Sequence, residues 1–220
     1  MFLTFQSVDR HRPLGKNTIT FATWPTLAFD GVIGFDSFVK TEHGQPVLDD
    51  VFWHTLAHEM AHYYFGTLLR PQGDYSWFYT ESTAEYLALK AVQRLRGRQA
   101  FARRVKSYYG DVLQDPSVVA LDQVTAHTPS SDSWYYYWPL LLLSLEQEVG
   151  EDRMQRVMSQ MVRAPAVTGR DYAFLRQAAM DAGASQSAWD RFEQDCVRRP
   201  PAQGCLKQLV DSLPATAPQP

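Results

Sequence analysis

The chain has 220 residues, of which 45% are hydrophobic and 20% are charged, and its formal net charge is −3 at pH 7. This length and composition are typical of one globular domain with enough apolar surface to form a core without cross-links. The small net charge and the lack of a dense basic run exclude a typical nucleic-acid binder. No apolar run approaches the ~18 residues that a membrane span requires.

Three segments of different character follow one another along the chain. Residues 1–47 mix strand-like alternation with glycines and turns, and they predict a β-rich N-terminal part. Residues 48–197 have helical periodicity, and residues 198–220 form a Pro-rich C-terminal tail. This order predicts an α+β fold, in which a small N-terminal β region precedes a mostly helical part.

Capping residues and glycines divide the helical part into separate predicted helices. These cover residues 51–69, 76–96, 99–108, 139–149 (with a start between 134 and 139), 152–163, 171–182 and 187–197. Asp49 or Asp50 caps the first helix, and Gly97, Gly150 and Gly183 each end one of the others. Residues 110–133 are predicted to be mostly loop.

The two cysteines, Cys196 and Cys205, flank a short segment that contains two arginines and two prolines. A turn there would bring them together as a disulfide, which would favour an extracytoplasmic location. Two free thiols fit the sequence equally well, and the compartment therefore stays open.

The first predicted helix contains His58-Glu59-Met60-Ala61-His62, which matches the pattern HExxH. Because the two histidines are four residues apart, their imidazoles project from one helix face and can bind one metal ion. The intervening Glu59 lies beside such an ion as a candidate general base. A random chain of this composition would contain ~0.006 matches to the pattern, so the motif favours a zinc site.

A catalytic zinc site needs a third protein ligand and an open position. Glu81 follows His62 after 18 intervening residues, near the start of the second predicted helix, and it is the candidate ligand. Glu85, one turn later on the same face, could hold a ligand histidine by its other ring nitrogen. Alternatively, both glutamates are solvated on an amphipathic helix. His54, one turn before His58, either lines the site or packs as a half-buried side chain.

The segments 58–66 and 77–81 together resemble the aminopeptidase N family of gluzincin metallopeptidases. The family's pattern is HExxH, 18 residues and Glu, with Phe-Gly after the second His and Trp before the third ligand. The resemblance implies a thermolysin-like catalytic domain in which Zn²⁺ is bound by His58, His62 and Glu81. It also implies that Glu59 activates water, and Glu85 resembles the carboxylate found four residues after the ligand in thermolysin-type sites.

The segment 135–150 resembles the family's Tyr-x-Lys-Gly segment and the helix after it. When the two are aligned on Pro139, the family's transition-state tyrosine falls on Tyr135, whose phenol would donate to the developing oxyanion. The Lys-Gly pair is absent here, so Tyr136 or Tyr137 fits the role too. An aromatic cluster buried for packing is a further reading of these residues.

One element of the family is missing from this chain. Family aminopeptidases have a Gly-x-Met-Glu-Asn strand whose glutamate holds the substrate's α-amine, but this chain has Gly31-Val32-Ile33-Gly34-Phe35 at that place. Asp30 and Asp36 are the nearest substitutes, and neither is in register. The resemblance therefore implies a metallopeptidase but does not extend to aminopeptidase specificity.

The sequence thus predicts a zinc metallopeptidase that cleaves a peptide or protein substrate with a metal-activated water and Glu59 as general base. One alternative is a catalytically inactive gluzincin-like domain that serves protein interaction. Another is a zinc hydrolase that acts on a non-peptide amide or ester. The chain could also be one part of a longer polypeptide whose other domain completes the cleft.

Overall fold

The computed structural model describes residues 40–42, 45–66, 68–69, 71–125, 131–164, 170–199, 201 and 204–215. The strand-like pattern predicted for residues 1–39 lies outside the described residues. The segment 31–35 and the two aspartates nearest to the position of the family glutamate, Asp30 and Asp36, lie outside them too.

The described elements are two short strands, seven α-helices and four short helical turns. The strands are β1 (Lys40–Glu42) and β2 (Gln45–Val47), which pair antiparallel with Thr41 opposite Pro46. The helices are α1 (Asp50–Ala61), α2 (Thr83–Gln114), α3 (Trp138–Val149), α4 (Glu151–Arg163), α5 (Tyr172–Asp181), α6 (Gln186–Phe192) and α7 (Cys205–Asp211). The turns are π-helical at Phe78–Ser82, Ser133–Tyr137 and Glu193–Val197, and 3₁₀ at Leu121–Gln123.

The predicted α+β class is wrong, because the described part of the chain is helical apart from the hairpin of β1 and β2. Strands of three residues cannot offer a sheet face on which helices could pack. The described core side chains instead lie on helices and on the segments that connect them, and the largest of them include Trp138 and Trp189. Helix-on-helix packing therefore encloses the core.

α3 lies at the centre of the helical body, where it contacts α2, α4, α6 and α7. Its apolar run of leucines, Leu140–Leu143 together with Leu145, is buried on every side. A helix that is apolar all round is stable only when other helices surround it. The predicted helices 139–149, 152–163 and 171–182 agree with α3, α4 and α5 to within one or two residues.

α1 begins where the sequence predicts, because the Asp49 side chain accepts a hydrogen bond of 2.9 Å from the Phe52 backbone N–H. It ends at Ala61 and not at residue 69, so the predicted C-terminal end of this helix is wrong. The chain leaves the helix through turns that reach Gly66, whose φ of +138° is not a helical value. The prediction failed because no proline or glycine stands at the true end.

α2 consists of two arms that meet at Gly97, where φ is +85° and ψ is 174°. The sequence predicted two separate helices divided at this glycine, and the division is confirmed. The second arm continues to Gln114, beyond the predicted end, and stops before Pro116. Asp50 of α1 accepts hydrogen bonds from Arg96 and Arg103, which lie on either side of the bend, at 2.9 and 2.7 Å.

The segment 198–220, predicted as a tail, contains α7, whose Leu206 and Leu209 side chains are buried in the core. Cys205 at the start of α7 forms a disulfide with Cys196, and their Cα atoms are 5.0 Å apart. The disulfide is compatible with an oxidising compartment. Among the described helices, none combines the length and the apolar character needed to cross a bilayer.

Candidate metal centre

Two imidazoles converge at the C-terminal end of α1. His58 lies in its last turn and His62 immediately follows the helix, and both are buried. Their Nε2 atoms are 3.0 Å apart. Because two ring nitrogens that face each other at this distance can share at most one proton, at least one of them is unprotonated and has a lone pair that could bind a metal ion in place of that proton.

A carboxylate completes the group from the next helical element. Glu81 lies in the π-helical turn that precedes α2, and π-helical turns are frequent at functional sites. Its Oε2 is 3.3 Å from Nε2 of His58 and 3.7 Å from Nε2 of His62. Within the described part of the chain, these three side chains form a group that could hold a metal ion.

The separations fit a single small divalent ion. Bonds of about 2.0–2.2 Å at tetrahedral angles would place the ligand atoms roughly 3.3–3.6 Å from one another. The three observed separations, 3.0, 3.3 and 3.7 Å, lie on both sides of this range. The donor set therefore suits one ion without rearrangement of either helix.

Glu85 lies behind His58, at the side away from the convergence point. Its Oε1 is 3.0 Å from Nδ1 of His58, which is within ion-pair distance although the two groups are not aligned as a hydrogen bond. Its Oε2 accepts a 2.7 Å hydrogen bond from the Tyr108 phenol and lies 2.9 Å from Nε2 of His54. The carboxylate thus links a candidate ligand to a buried network of two further side chains.

His62 is oriented by the backbone that follows it. Its Nδ1 lies 2.9 Å from the carbonyl oxygen of Phe65, to which an N–H at this position donates. This contact assigns a ring proton to Nδ1, so that the neutral imidazole has an unprotonated Nε2 whose lone pair faces His58 and could bind a metal. A Cβ added at Gly66 would lie 3.3 Å from the His62 carbonyl oxygen and 3.5 Å from its Nδ1, so the site leaves little room at residue 66.

Three carboxylates surround His58 and make the site strongly favourable for positive charge. Burial lowers the pKa of His58, but Glu81, Glu85 and Glu59 together raise it to about 10. Burial raises the pKa of Glu81 and of Glu85, but the neighbouring histidines outweigh this effect and hold both below their usual range. A bound cation would satisfy the same negative charge.

Glu59 is less well stabilised as a carboxylate than the other two glutamates. Its side chain is buried, and within the described residues its Oε2 accepts no hydrogen bond, although the charge of His58 favours its ionised form. Burial raises the pKa of Glu59, attraction to His58 lowers it, and repulsion from Glu81 and Glu85 raises it further, so that the pKa is about 7. A carboxyl group with such a pKa can both take up and release a proton near neutral pH.

The three candidate tyrosines of the π-helical turn Ser133–Tyr137 occupy different environments. The Tyr135 ring lies 6.2 Å from that of His58, between centroids, and burial and the neighbouring Glu81 raise the pKa of its phenol to about 12. Tyr136 packs edge-on against a tyrosine of α2, and Tyr137 is buried in the core. Of the three, Tyr135 is the one beside the converging ligands.

A stacked pair of indoles, which the sequence did not indicate as a pair, extends from the site. Trp77 lies four residues before Glu81 and stacks on Trp134, with ring centroids 4.9 Å apart and ring planes 17° apart. Trp134 in turn meets the Tyr135 ring edge-on at 6.2 Å. The sequence pointed to Trp77, because the family pattern has a Trp before the third ligand. Its partner Trp134 had only one signal, its position next to Tyr135 in the chain.

Tyr108 and the buried role of His54 were also missed by sequence reasoning. His54 is 4% exposed and lies 3.0 Å from the Tyr108 phenol, whereas a half-buried packing role was the alternative to lining the site. Its one-turn spacing from His58 was an available signal. No sequence signal pointed to Tyr108, because it lies in the second arm of α2, beyond Gly97 and far along the chain from His54.

Comparison with known proteins returns no match, since no protein-family model, curated protein or solved structure is significantly similar to the chain. The geometry of the candidate metal centre is therefore what indicates a function for this protein.

Proposed function

We propose that this protein is a zinc-dependent metallopeptidase whose site follows the gluzincin pattern HExxH, 18 residues, Glu. The observation that supports it most is the convergence of His58, His62 and Glu81 beside the buried carboxylate of Glu59, whose Oε2 accepts no hydrogen bond within the described residues. A structural metal site would need a fourth protein ligand. The described residues offer three converging ligands and a potential base, a combination typical of hydrolytic zinc sites.

Zinc is the ion that this donor set favours, because two imidazoles and one carboxylate are typical zinc ligands. When bound, zinc supplies Lewis acidity that activates water and polarises the scissile carbonyl. His58 and His62 would hold the ion through Nε2, and Glu81 through its carboxylate. Glu85 and the Phe65 carbonyl would keep the two imidazoles in their orientations.

Glu59 would act as general base and then as general acid. Its Oε2 would accept the proton of the attacking water and transfer it to the leaving amine. The phenol of Tyr135 would donate a hydrogen bond to the oxyanion that develops on the substrate carbonyl. Both groups lie beside the three ligands, which supports their assignment.

The proposed location is extracytoplasmic, which the Cys196–Cys205 disulfide supports. The proposed substrates are peptides or proteins. Cleavage of a non-peptide amide or ester, and a metal-binding domain without activity, are the alternatives that the experiment below distinguishes.

The test combines metal analysis of the purified protein with cleavage of a peptide library in the presence and absence of a chelator. We expect about one zinc ion per chain and cleavage that stops on chelation. Glu59→Gln should keep the zinc and lose nearly all cleavage, whereas Glu148→Gln, which changes a glutamate of α3 paired with Arg191, should keep both. Undiminished cleavage by Glu59→Gln would remove Glu59 from its role. Zinc binding without cleavage of any peptide would contradict the peptidase proposal.

A further inference from the structure

The indole pair of Trp77 and Trp134 differs in its exposure to solvent from the two tryptophans of the core, Trp138 and Trp189. Trp138 and Trp189 are 0% and 1% exposed, whereas Trp77 is 47% exposed although one of its faces is covered by Trp134. A large aromatic side chain that keeps a face in water beside a candidate active site is typical of a ligand contact. The pair therefore presents a flat apolar surface to solvent.

This surface is fixed relative to the metal centre. Ser82 follows Glu81 directly, and its Oγ donates a 2.9 Å hydrogen bond to the Trp134 carbonyl oxygen. The π-helical turn with Glu81 is thereby tied to the π-helical turn with Trp134 and Tyr135. Trp77 belongs to the same helical segment as Glu81, and Trp134 belongs to the same π-helical turn as Tyr135. Each indole is therefore held by the segment that also positions a residue of the site.

The distance from the ligands to the indoles suits an extended peptide. Trp134 touches Tyr135, and Tyr135 touches His58, with centroid separations of 6.2 Å at each step. An extended chain advances about 3.3–3.6 Å per residue. A peptide whose scissile bond lies at the metal would therefore bring a side chain within about three residues of that bond to the indoles.

We propose that Trp77 and Trp134 form a substrate-binding subsite that takes an aromatic side chain of the peptide. Stacked indoles match such a side chain in shape and offer offset or edge-to-face ring contacts, which add to the free energy of apolar burial. The proposal rests on the proposed function, since it names the substrate preference of the same site. It does not require that Glu59 or Tyr135 be competent in hydrolysis.

The experiment uses four zinc-binding probes, titrated calorimetrically into the zinc-loaded protein. They are the hydroxamate of acetyl-trialanine and the three compounds in which phenylalanine replaces one of its alanines, so that the phenyl ring lies one, two or three residues from the zinc-binding group. We expect at least one phenylalanine compound to bind at least about tenfold more tightly than the all-alanine compound. In Trp77→Ala this preference should fall to about threefold or less, with the affinity for the all-alanine compound unchanged. Trp77→Phe should recover most of the preference, because it restores an aromatic face.

Leu95→Ala is the matched control, because Leu95 is also a large exposed apolar residue, 61% exposed, in the first arm of α2. It should bind all four probes as the unmodified protein does. Equal affinities for all four probes, or a preference for phenylalanine that Trp77→Ala leaves intact, would overturn the subsite whether or not peptides are cleaved. A Trp77-dependent preference in a protein that cleaves no peptide would overturn the proposed function alone. A protein that takes up no zinc would overturn both.

Discussion

The phenol of Tyr108 donates a 2.7 Å hydrogen bond to Oε2 of Glu85, although the two residues are 23 positions apart in α2. At about 1.5 Å per residue, a straight helix would place them roughly 35 Å apart. The contact is possible because the two arms of α2 fold back on each other at Gly97. The bend therefore brings a distant tyrosine to the rear of the candidate metal centre.

We expect Tyr108→Phe to weaken zinc binding by about tenfold or more, since groups that orient a metal ligand commonly contribute 10- to 100-fold to affinity. Loss of the phenol would free Glu85 to move away from Nδ1 of His58. Competition with a chromophoric chelator measures the affinity. Tyr86→Phe is the control, because it removes a similar 2.8 Å bond to Glu146 from the same helix, and zinc affinity should not change.

The bend itself depends on glycine. Gly97 has φ +85° and ψ 174°, a combination essentially restricted to glycine, so Gly97→Ala should lower the free energy of unfolding by about 1–3 kcal/mol. Gly110, in the second arm of the same helix, has no positive φ, and open space surrounds the position of an added Cβ. Gly110→Ala should therefore raise stability by up to about 1 kcal/mol. Urea unfolding of both variants tests the pair, and equal effects would contradict the account of the bend.

Tyr135→Phe should lower kcat by about 100-fold, which is the scale of losing one oxyanion donor, while zinc content is retained. Tyr137→Phe should leave kcat nearly unchanged, because Tyr137 is buried in the core and 2% exposed. Steady-state kinetics on the best library peptide compares the two. A larger loss for Tyr137→Phe would reverse the assignment of the phenol.

Asp50 should make stability depend on pH at the acid end. Burial raises its pKa, but hydrogen bonds and charge from Arg96 and Arg103 outweigh this and leave the pKa below its ordinary value. The unfolded chain therefore takes up the proton first as the pH falls. The contribution is fully present above the ordinary pKa of about 3.9 and is lost as the pH falls through the lower folded value.

Asp50→Asn should accordingly be less stable at pH 7, by about 1 kcal/mol, and the difference from the unmodified protein should shrink at pH 3. Urea unfolding at both pH values measures this change. Asp74→Asn alters an exposed aspartate in a turn and should show no such trend. A difference that grows toward low pH would contradict the sign of the argument.

Local signals in the sequence were sufficient for the features that depend on neighbouring residues. The four-residue spacing of His58 and His62 placed both rings on one helix face, and Gly97, Gly150 and Gly183 marked helix ends that the structure has. Glu81 reaches the histidines because the helix with His58 pairs with the helical segment that begins near Glu81. The pattern HExxH, 18 residues, Glu indicated this pairing. These features follow from the period of the helix and from the φ values open to glycine.

Tertiary structure alone decided which helices enclose the core and which distant side chains reach the site. The prediction of an α+β fold failed because strand-like alternation in a sequence does not determine whether a sheet forms. In the described part of the chain, helices enclose the core. The contact of Tyr108 with Glu85 and the stacking of Trp134 on Trp77 join residues far apart in the chain. No local pattern encodes such contacts, because they arise only when packing folds the arms of α2 together and sets the two π-helical turns side by side.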